Sequence, residues 1–169
     1  MTQINTRGTY LMSKVCLPYL MKSKNPHILT LSPPYKVFYP EVVRDIKINW
    51  FAGQVAYAMA KMGMTLCAHG MSEEFKDFGI AVNTLWPRTT IATAAVQNLL
   101  GGDSMMNKSR TPDIMADSAY VILTSNSTKT TGYYFLDDEV LASTGVKDFS
   151  KYRCNPKLNE WDLHPDGFC

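Results

Sequence analysis

Tyr57 and Lys61, a tyrosine and a lysine four residues apart, are the side chains of this sequence best spaced to do chemistry. At that separation two residues share one face of a helix. An ammonium beside a phenol favours the phenolate and lowers its pKa from about 10 toward working pH, which makes a tyrosine a general acid/base. The spacing alone says little. With nine Tyr and 12 Lys in 169 residues, roughly 0.6 such pairs arise by chance. Tyr10 and Lys14 form another, inside a first helix with no strand before it, and read as ordinary helix surface or core.

What lies around Tyr57 and Lys61 sets them apart. Before them, His27-Ile-Leu-Thr-Leu-Ser32 is a short apolar run ending in a hydroxyl residue, which reads as a buried strand with Ser32 at its tip. After them, Gly79-Ile-Ala-Val-Asn-Thr-Leu-Trp-Pro87 is a second buried strand stopped by proline. Strand, long helix and strand make a right-handed crossover of a parallel sheet. Such sheets place their chemistry beyond the carboxyl ends of the strands. The fold class is therefore α/β with a partial, doubly wound parallel sheet.

The other elements follow from pattern. Residues 3–22 read as a helix with apolar positions Ile4, Leu11, Met12, Val15, Tyr19 and Leu20, and Pro18 kinks it or marks its last turns. Residues 33–52 form a long loop whose aromatics, Tyr35, Phe38, Tyr39, Trp50 and Phe51, could wall an apolar pocket or simply pack the loop down. The helix at 53–77 carries Tyr57 and Lys61 and stops at Gly79. A strand at 80–86, a short helix near 91–100 and a polar, mobile-looking stretch at 101–110 come next. Thr111-Pro112-Asp113 opens a helix to about 124. A last strand covers 132–137. Residues 1–144 make up one domain, and 145–169, rich in Pro, Asp and Lys, read as a poorly ordered tail or linker.

Composition excludes several classes. At 169 residues and 46% hydrophobic, the chain can bury one core. Its 19% of charged residues is below the roughly 25% usual for soluble domains, which fits a surface meant to be covered. Basic residues are scattered at a net charge of +2, without the stripe that nucleic-acid binding needs. Cys16, Cys67, Cys154 and Cys169 show no paired spacing, and they read as reduced thiols of an intracellular protein. His27, His69 and His164 are isolated, so no metal site is expected. No apolar run reaches the roughly 18 residues of a membrane span, and no secretory signal heads the chain.

Taken in order, Asn5-Thr-Arg-Gly8, the strand ending at Ser32, the Tyr57/Lys61 helix and Asn83-Thr-Leu-Trp-Pro87 resemble the later half of a short-chain dehydrogenase/reductase, over about residues 3–165. The resemblance implies a Rossmann-like fold and an NAD- or NADP-dependent oxidoreductase that interconverts a hydroxyl and a carbonyl on an apolar, lipid-like substrate. It implies that Tyr57 moves the proton, that Lys61 lowers the Tyr57 pKa and bonds the ribose, and that Ser32 holds the substrate oxygen. Asn5 would shape a proton-relay water, with helix capping as its ordinary alternative. The family serine usually stands one position later, where this chain has Pro33, and the usual gap to tyrosine is about half as long. Ser32 could equally cap the strand end.

On the cofactor side, Pro87, Ile91 and Thr93 resemble P-G-x-V-x-T, which holds the nicotinamide carboxamide; here Arg88 replaces the glycine and one residue is inserted. Gly132-Tyr-Tyr-Phe-Leu-Asp137 resembles the closing T-G-x-x-x-x-D-G, with Asp138 where glycine is usual. The helices at 3–22 and 53–77 correspond to those that pair subunits in the family, so a homo-oligomer is expected. A peroxisomal or mitochondrial setting is a further implication. Nothing in the chain resembles the glycine-rich phosphate loop, so a fragment with weak cofactor binding of its own is expected. A non-catalytic form that acts through its helices as a binding or dimerisation partner is the alternative.

Overall fold

The computed structural model describes residues 1–34 and 51–169. Residues 1–86, 122–135 and 168 form one compact unit, and 87–121, 136–167 and 169 form another.

In the first unit, β1 (His27–Leu31) and β2 (Ala81–Trp86) pair in parallel, with His27 opposite Ala81 and Leu31 opposite Leu85. β3 (Tyr134–Leu136) lies on the other side of β2, which is therefore the central strand. All six residues of β2 are buried, as a strand covered on both faces should be. Its one amide side chain, Asn83, joins two segments: Nδ2 donates to the Thr130 carbonyl at 2.7 Å, and Oδ1 accepts from the Tyr133 amide at 3.0 Å. The expected α/β architecture with parallel strands is observed.

A parallel pair cannot be closed by a hairpin, and α2 (Val55–Glu74) lies in the crossover from β1 to β2. A tight turn at Lys76–Phe78 follows it. Gly79 ends that turn at φ 68°, a left-handed position that glycine takes without steric cost. Ala68, Met71, Phe75, Ile80 and Val82 form the core, with Leu17, Leu20 and Ile28 packed against it. Leu17 and Leu20 belong to α1 (Gly8–Leu20), which is preceded by a wide helical turn at Gln3–Arg7 and ends two residues after Pro18.

α1 and the preceding turn bring little else inside. Ser13 is the buried residue of α1, while Ile4 is 82% exposed, Val15 65% and Tyr19 72%. On α2, Met62 is buried within the chain, whereas Val55, Met59 and Leu66 are exposed. The two helical segments meet at one close crossing. Thr6 Oγ1 donates to the Ala60 carbonyl at 3.0 Å, and a Cβ built on Gly63 would stand 2.4 Å from that same hydroxyl oxygen.

The second unit departs from expectation in two places. The stretch at 101–110 is not a loop throughout: Gly102–Asn107 forms α3, followed by α4 (Asp113–Thr124). The helix expected at 91–100 starts only at residue 94, because Ile91 is held in a parallel bridge to Arg110. Residues 145–169 are folded rather than poorly ordered. Tyr152 and Leu163 are buried, and two tight turns, Ser150–Tyr152 and Glu160–Asp162, punctuate the segment. The second turn has a reciprocal cap made by Asn159 and Asp162. Tyr152 packs with Ile114 and with Leu141 of α5 (Asp137–Ser143), and its hydroxyl donates to Asp117 at 2.6 Å. Tyr35, Phe38, Tyr39 and Trp50 lie outside the described residues.

Adding one methyl at the helix crossing tests its tightness. Gly63→Ala should lower the stability of the chain by about 1–3 kcal/mol, read as a lower urea midpoint. Combining it with Thr6→Ala should recover part of the loss. An unchanged midpoint in the single variant would show that the helices are not in close contact there.

Candidate functional site

The carboxyl ends of β1 and β2 are marked by Leu31 and Trp86. Lys61, on the second turn of α2, donates from Nζ to the Leu31 carbonyl at 2.9 Å and stands 5.3 Å from the centre of the Trp86 ring. One lysine thereby touches both strand ends. A hydrogen bond to a carbonyl together with an aromatic face holds an ammonium in place.

Tyr57, one turn earlier on α2, has its ring 6.4 Å from that of Phe168. Phe168 meets Trp86 edge-on at 5.5 Å and Phe51 edge-on at 6.1 Å. Tyr57 and Lys61 are therefore linked by an aromatic cluster at the same strand ends. Trp86 and Phe168 were missed by reading the sequence. Trp86 carried a usable signal, an aromatic at the last position of a buried strand before proline. Phe168 carried none, since it lies in a segment whose composition reads as a tail.

Ser32 follows β1 directly and is fully buried, with its amide donating to the Thr30 carbonyl at 3.0 Å. Its Oγ has no hydrogen-bond partner among the described residues. A buried hydroxyl in that state calls for an incoming acceptor or donor. The backbone beyond it is fixed by Thr65, also fully buried, whose Oγ1 donates to the Pro33 carbonyl at 2.7 Å. α2 thus fixes the end of β1 twice, through Lys61 and through Thr65.

Asn5 behaves differently. Its Nδ2 donates to the Met1 carbonyl at 3.2 Å, within its own turn, and that turn has no side-chain cap. Its neighbour Thr6 bonds the carbonyl of Ala60, the residue before Lys61, so the Asn5 backbone is near the lysine while its side chain serves the turn. In the other tyrosine–lysine pair, Lys14 Nζ donates to the Tyr10 hydroxyl at 3.1 Å on an exposed helix face. That bond, with the Tyr10 charge, raises the Lys14 pKa. Contact between the two residue types is common; a position at strand ends is what distinguishes Tyr57 and Lys61.

Pro87, Ile91 and Thr93 belong to the second unit. Arg110 N donates to the Thr90 carbonyl at 3.0 Å and Arg110 O accepts from the Ala92 amide at 2.9 Å. In a parallel bridge of this kind the residue between the two bonded ones turns its own amide and carbonyl away, so Ile91 presents its backbone on the side opposite Arg110. Thr93 Oγ1 accepts from the Val96 amide at 3.4 Å, which leaves its hydroxyl proton free to donate.

No family model matches the chain. Among curated proteins it is 51% identical to hydroxysteroid dehydrogenase-like protein 2 of Xenopus tropicalis, over 92% of this chain and 34% of that protein. The chain thus spans about a third of the length of the curated relatives it matches. A short chain dehydrogenase of Mycobacterium thermoresistibile is 50% identical, with a TM-score of 0.80, over 98% of this chain and 54% of that one. A protein from Escherichia coli CFT073, described as a short chain dehydrogenase and solved complexed with NADPH, is 25% identical with a TM-score of 0.60, covering 80% of this chain and 51% of its own.

If Thr65 positions the end of β1, removing its hydroxyl should cost more than its size suggests. Thr65→Val keeps the volume and leaves the Pro33 carbonyl unbonded, which should lower stability by about 1–3 kcal/mol in urea denaturation. A wild-type midpoint would mean that the bond does not hold Ser32 in place.

Proposed function

Because the chain belongs to the short-chain dehydrogenase/reductase family, we propose that its residues serve an NAD- or NADP-dependent oxidoreductase that interconverts a hydroxyl and a carbonyl on an apolar, lipid-like substrate. The observation that supports the reading is the Lys61 bond to Leu31 at the end of β1, beside Trp86 at the end of β2, with the Tyr57 ring near Phe168, which itself meets Trp86. Tyr57 gives a proton to the carbonyl oxygen, or takes one from the alcohol, as a general acid/base. The Lys61 ammonium stabilises the phenolate left behind. The buried Ser32 hydroxyl, unpartnered among the described residues, bonds the reacting oxygen. Phe51, half-buried and backed by Phe168, gives an apolar substrate a wall to pack on.

The cofactor supplies or accepts the hydride. The Ile91 amide and the Thr93 hydroxyl would hold its carboxamide, and Lys61 the ribose. NADP is favoured as much as NAD, since the Escherichia coli relative is solved with NADPH. The glycine-rich phosphate loop has no counterpart among these residues, so catalysis is proposed for the longer protein to which the third-length match belongs.

A second reading rests on a separate observation. Ile4, Met12, Val15 and Tyr19 are exposed on the α1 side, and Val55, Met59 and Leu66 on α2, more apolar surface than isolated residues need explain. These helices are proposed to pair with a second copy, which would serve either an oligomeric enzyme or a non-catalytic binding form. Among the described residues no helix is long and apolar enough to cross a membrane.

Two outcomes test these readings. In a short-chain dehydrogenase carrying residues 1–144 of this chain in place of its own counterpart, Tyr57→Phe should cut turnover by about 100-fold or more and leave NADPH affinity nearly unchanged; unchanged turnover removes Tyr57 from the chemistry. Sedimentation of the purified chain at micromolar concentration should show dimers or larger species. A single 19.0 kDa species would contradict pairing through the two helices.

A further inference from the structure

The second unit contains a cluster of charged side chains that the proposed chemistry does not use: Arg88, Arg110, Arg153, Asp137, Asp138, Glu139 and Glu160. Asp137 is fully buried at the start of α5. Its Oδ1 accepts the backbone amide of Arg88 at 2.9 Å and that of Asp138 at 2.8 Å. The Arg88 side chain then reaches over the same helix start, donating from Nε to Asp138 at 2.5 Å and from Nη2 to Glu139 at 2.7 Å. Arg110, 3% exposed, bonds Glu160 at 2.6 Å and stands 3.8 Å from Asp138.

These groups converge on one short run of backbone. Along Pro87–Thr93, the Arg88 amide is held by Asp137 and the Arg88 carbonyl by the Asp166 amide at 2.9 Å. The Thr90 amide is held by the His164 carbonyl and the Thr90 carbonyl by Arg110. Residues 88, 90 and 92 are tied down in alternation, and Ile91 is left facing the other way. The two positions where this chain departs from glycine in the family pattern, Arg88 and Asp138, are the two that pair. No described non-glycine residue has a positive φ, so Arg88 occupies ordinary backbone that does not require glycine.

We propose that the Arg88–Asp138 ion pair, together with the Asp137 anchor, is a positioning device that holds Pro87–Thr93 in the form that receives the nicotinamide carboxamide. The inference rests on the cofactor reading above. In place of two glycines, which would leave the segment free to adjust, the chain uses a charge-assisted fork across sequence-distant residues. The pair is partly exposed, so its effect is on the mobility of the segment more than on global stability. Burial lowers the Arg88 pKa, but the bonds and charges of Asp138 and Glu139 more than reverse this and raise it. The Arg88 guanidinium therefore stays charged at any working pH.

Hydrogen exchange on the intact chain tests the device directly. Arg88→Ala and Asp138→Ala should each speed exchange of the 87–93 segment by about tenfold, with the β2 segment 81–86 as an unchanged internal control. The double variant should be no faster than either single one, since the two residues act as one pair. Should either alanine variant fail to fold, Arg88→Lys and Asp138→Asn give the same comparison in milder form. Nicotinamide mononucleotide at millimolar concentration should shift the Ile91 and Thr93 amide resonances of the wild type and bind several-fold more weakly to each single variant. Unchanged exchange, or single effects that simply add, overturns the positioning role. Coupled exchange with no nucleotide response at Ile91 and Thr93 overturns instead the cofactor reading beneath it.

Discussion

Two neighbouring strands that run the same way must be joined by a chain that returns the full length of the sheet, and most of the first unit follows from that requirement. β1 delivers the chain at its carboxyl end, so a returning helix begins at that end. Tyr57 is the third residue of α2 and Lys61 the seventh; being early in the crossover is what brings them to the strand ends. The lysine's bond to Leu31 and the Thr65 bond to Pro33 are then short-range consequences of how α2 lies on the sheet. β2 can be buried on every residue because α2 covers one of its faces and its neighbours satisfy its backbone.

Much of this was legible in the residues. The apolar runs at 27–32 and 80–86 give strands to within a residue, since short buried runs bounded by turn signals have few other solutions. The Tyr57/Lys61 helix appears at 55–74, and Gly79 ends the turn beyond it. What was not legible depends on partners far away in sequence. Tyr152, Leu163 and Phe168 are single apolar residues among Pro, Asp and Lys, with no period to show that each is buried. α3 is a six-residue Gly-Asp-Ser-Met-Met-Asn segment, too short and polar for helical periodicity to show. Arg110 looks like a surface residue until Glu160 and Asp138 are brought to it across 50 and 28 positions of chain.

The two units hold their polar groups by different means. In the first, Asn83 is satisfied by Thr130 and Tyr133 and Thr65 by Pro33, while the buried Ser32 and Thr84 hydroxyls have no hydrogen-bond partner among the described residues. In the second, buried charge is concentrated around Asp137, whose pKa burial raises despite the bonds from the Arg88 and Asp138 amides. Taking ions out of water is costly unless each is bonded. Glu160 offsets part of that cost by binding Arg110 at 2.6 Å and Arg153 at 2.7 Å, with Arg110 also over the Phe149 ring at 5.5 Å. A network of this kind contributes more to geometry than to net stability.

The crossing of Thr6 and Gly63 lies near one end of the α1 segment, and so it acts as a fulcrum. From Thr6 to Tyr19 is 13 residues, a lever arm of about 20 Å at 1.5 Å per residue. Any rotation forced at the pivot is small for Asn5, next to it, and several times larger at Tyr19. Side-chain volume at position 63 thus bears on the angle at which Met12 and Val15 project, with Leu17 and Leu20 packed on the core as a second support. A glycine suited to the fit inside one chain would in this way also bear on the shape of the surface offered outside it.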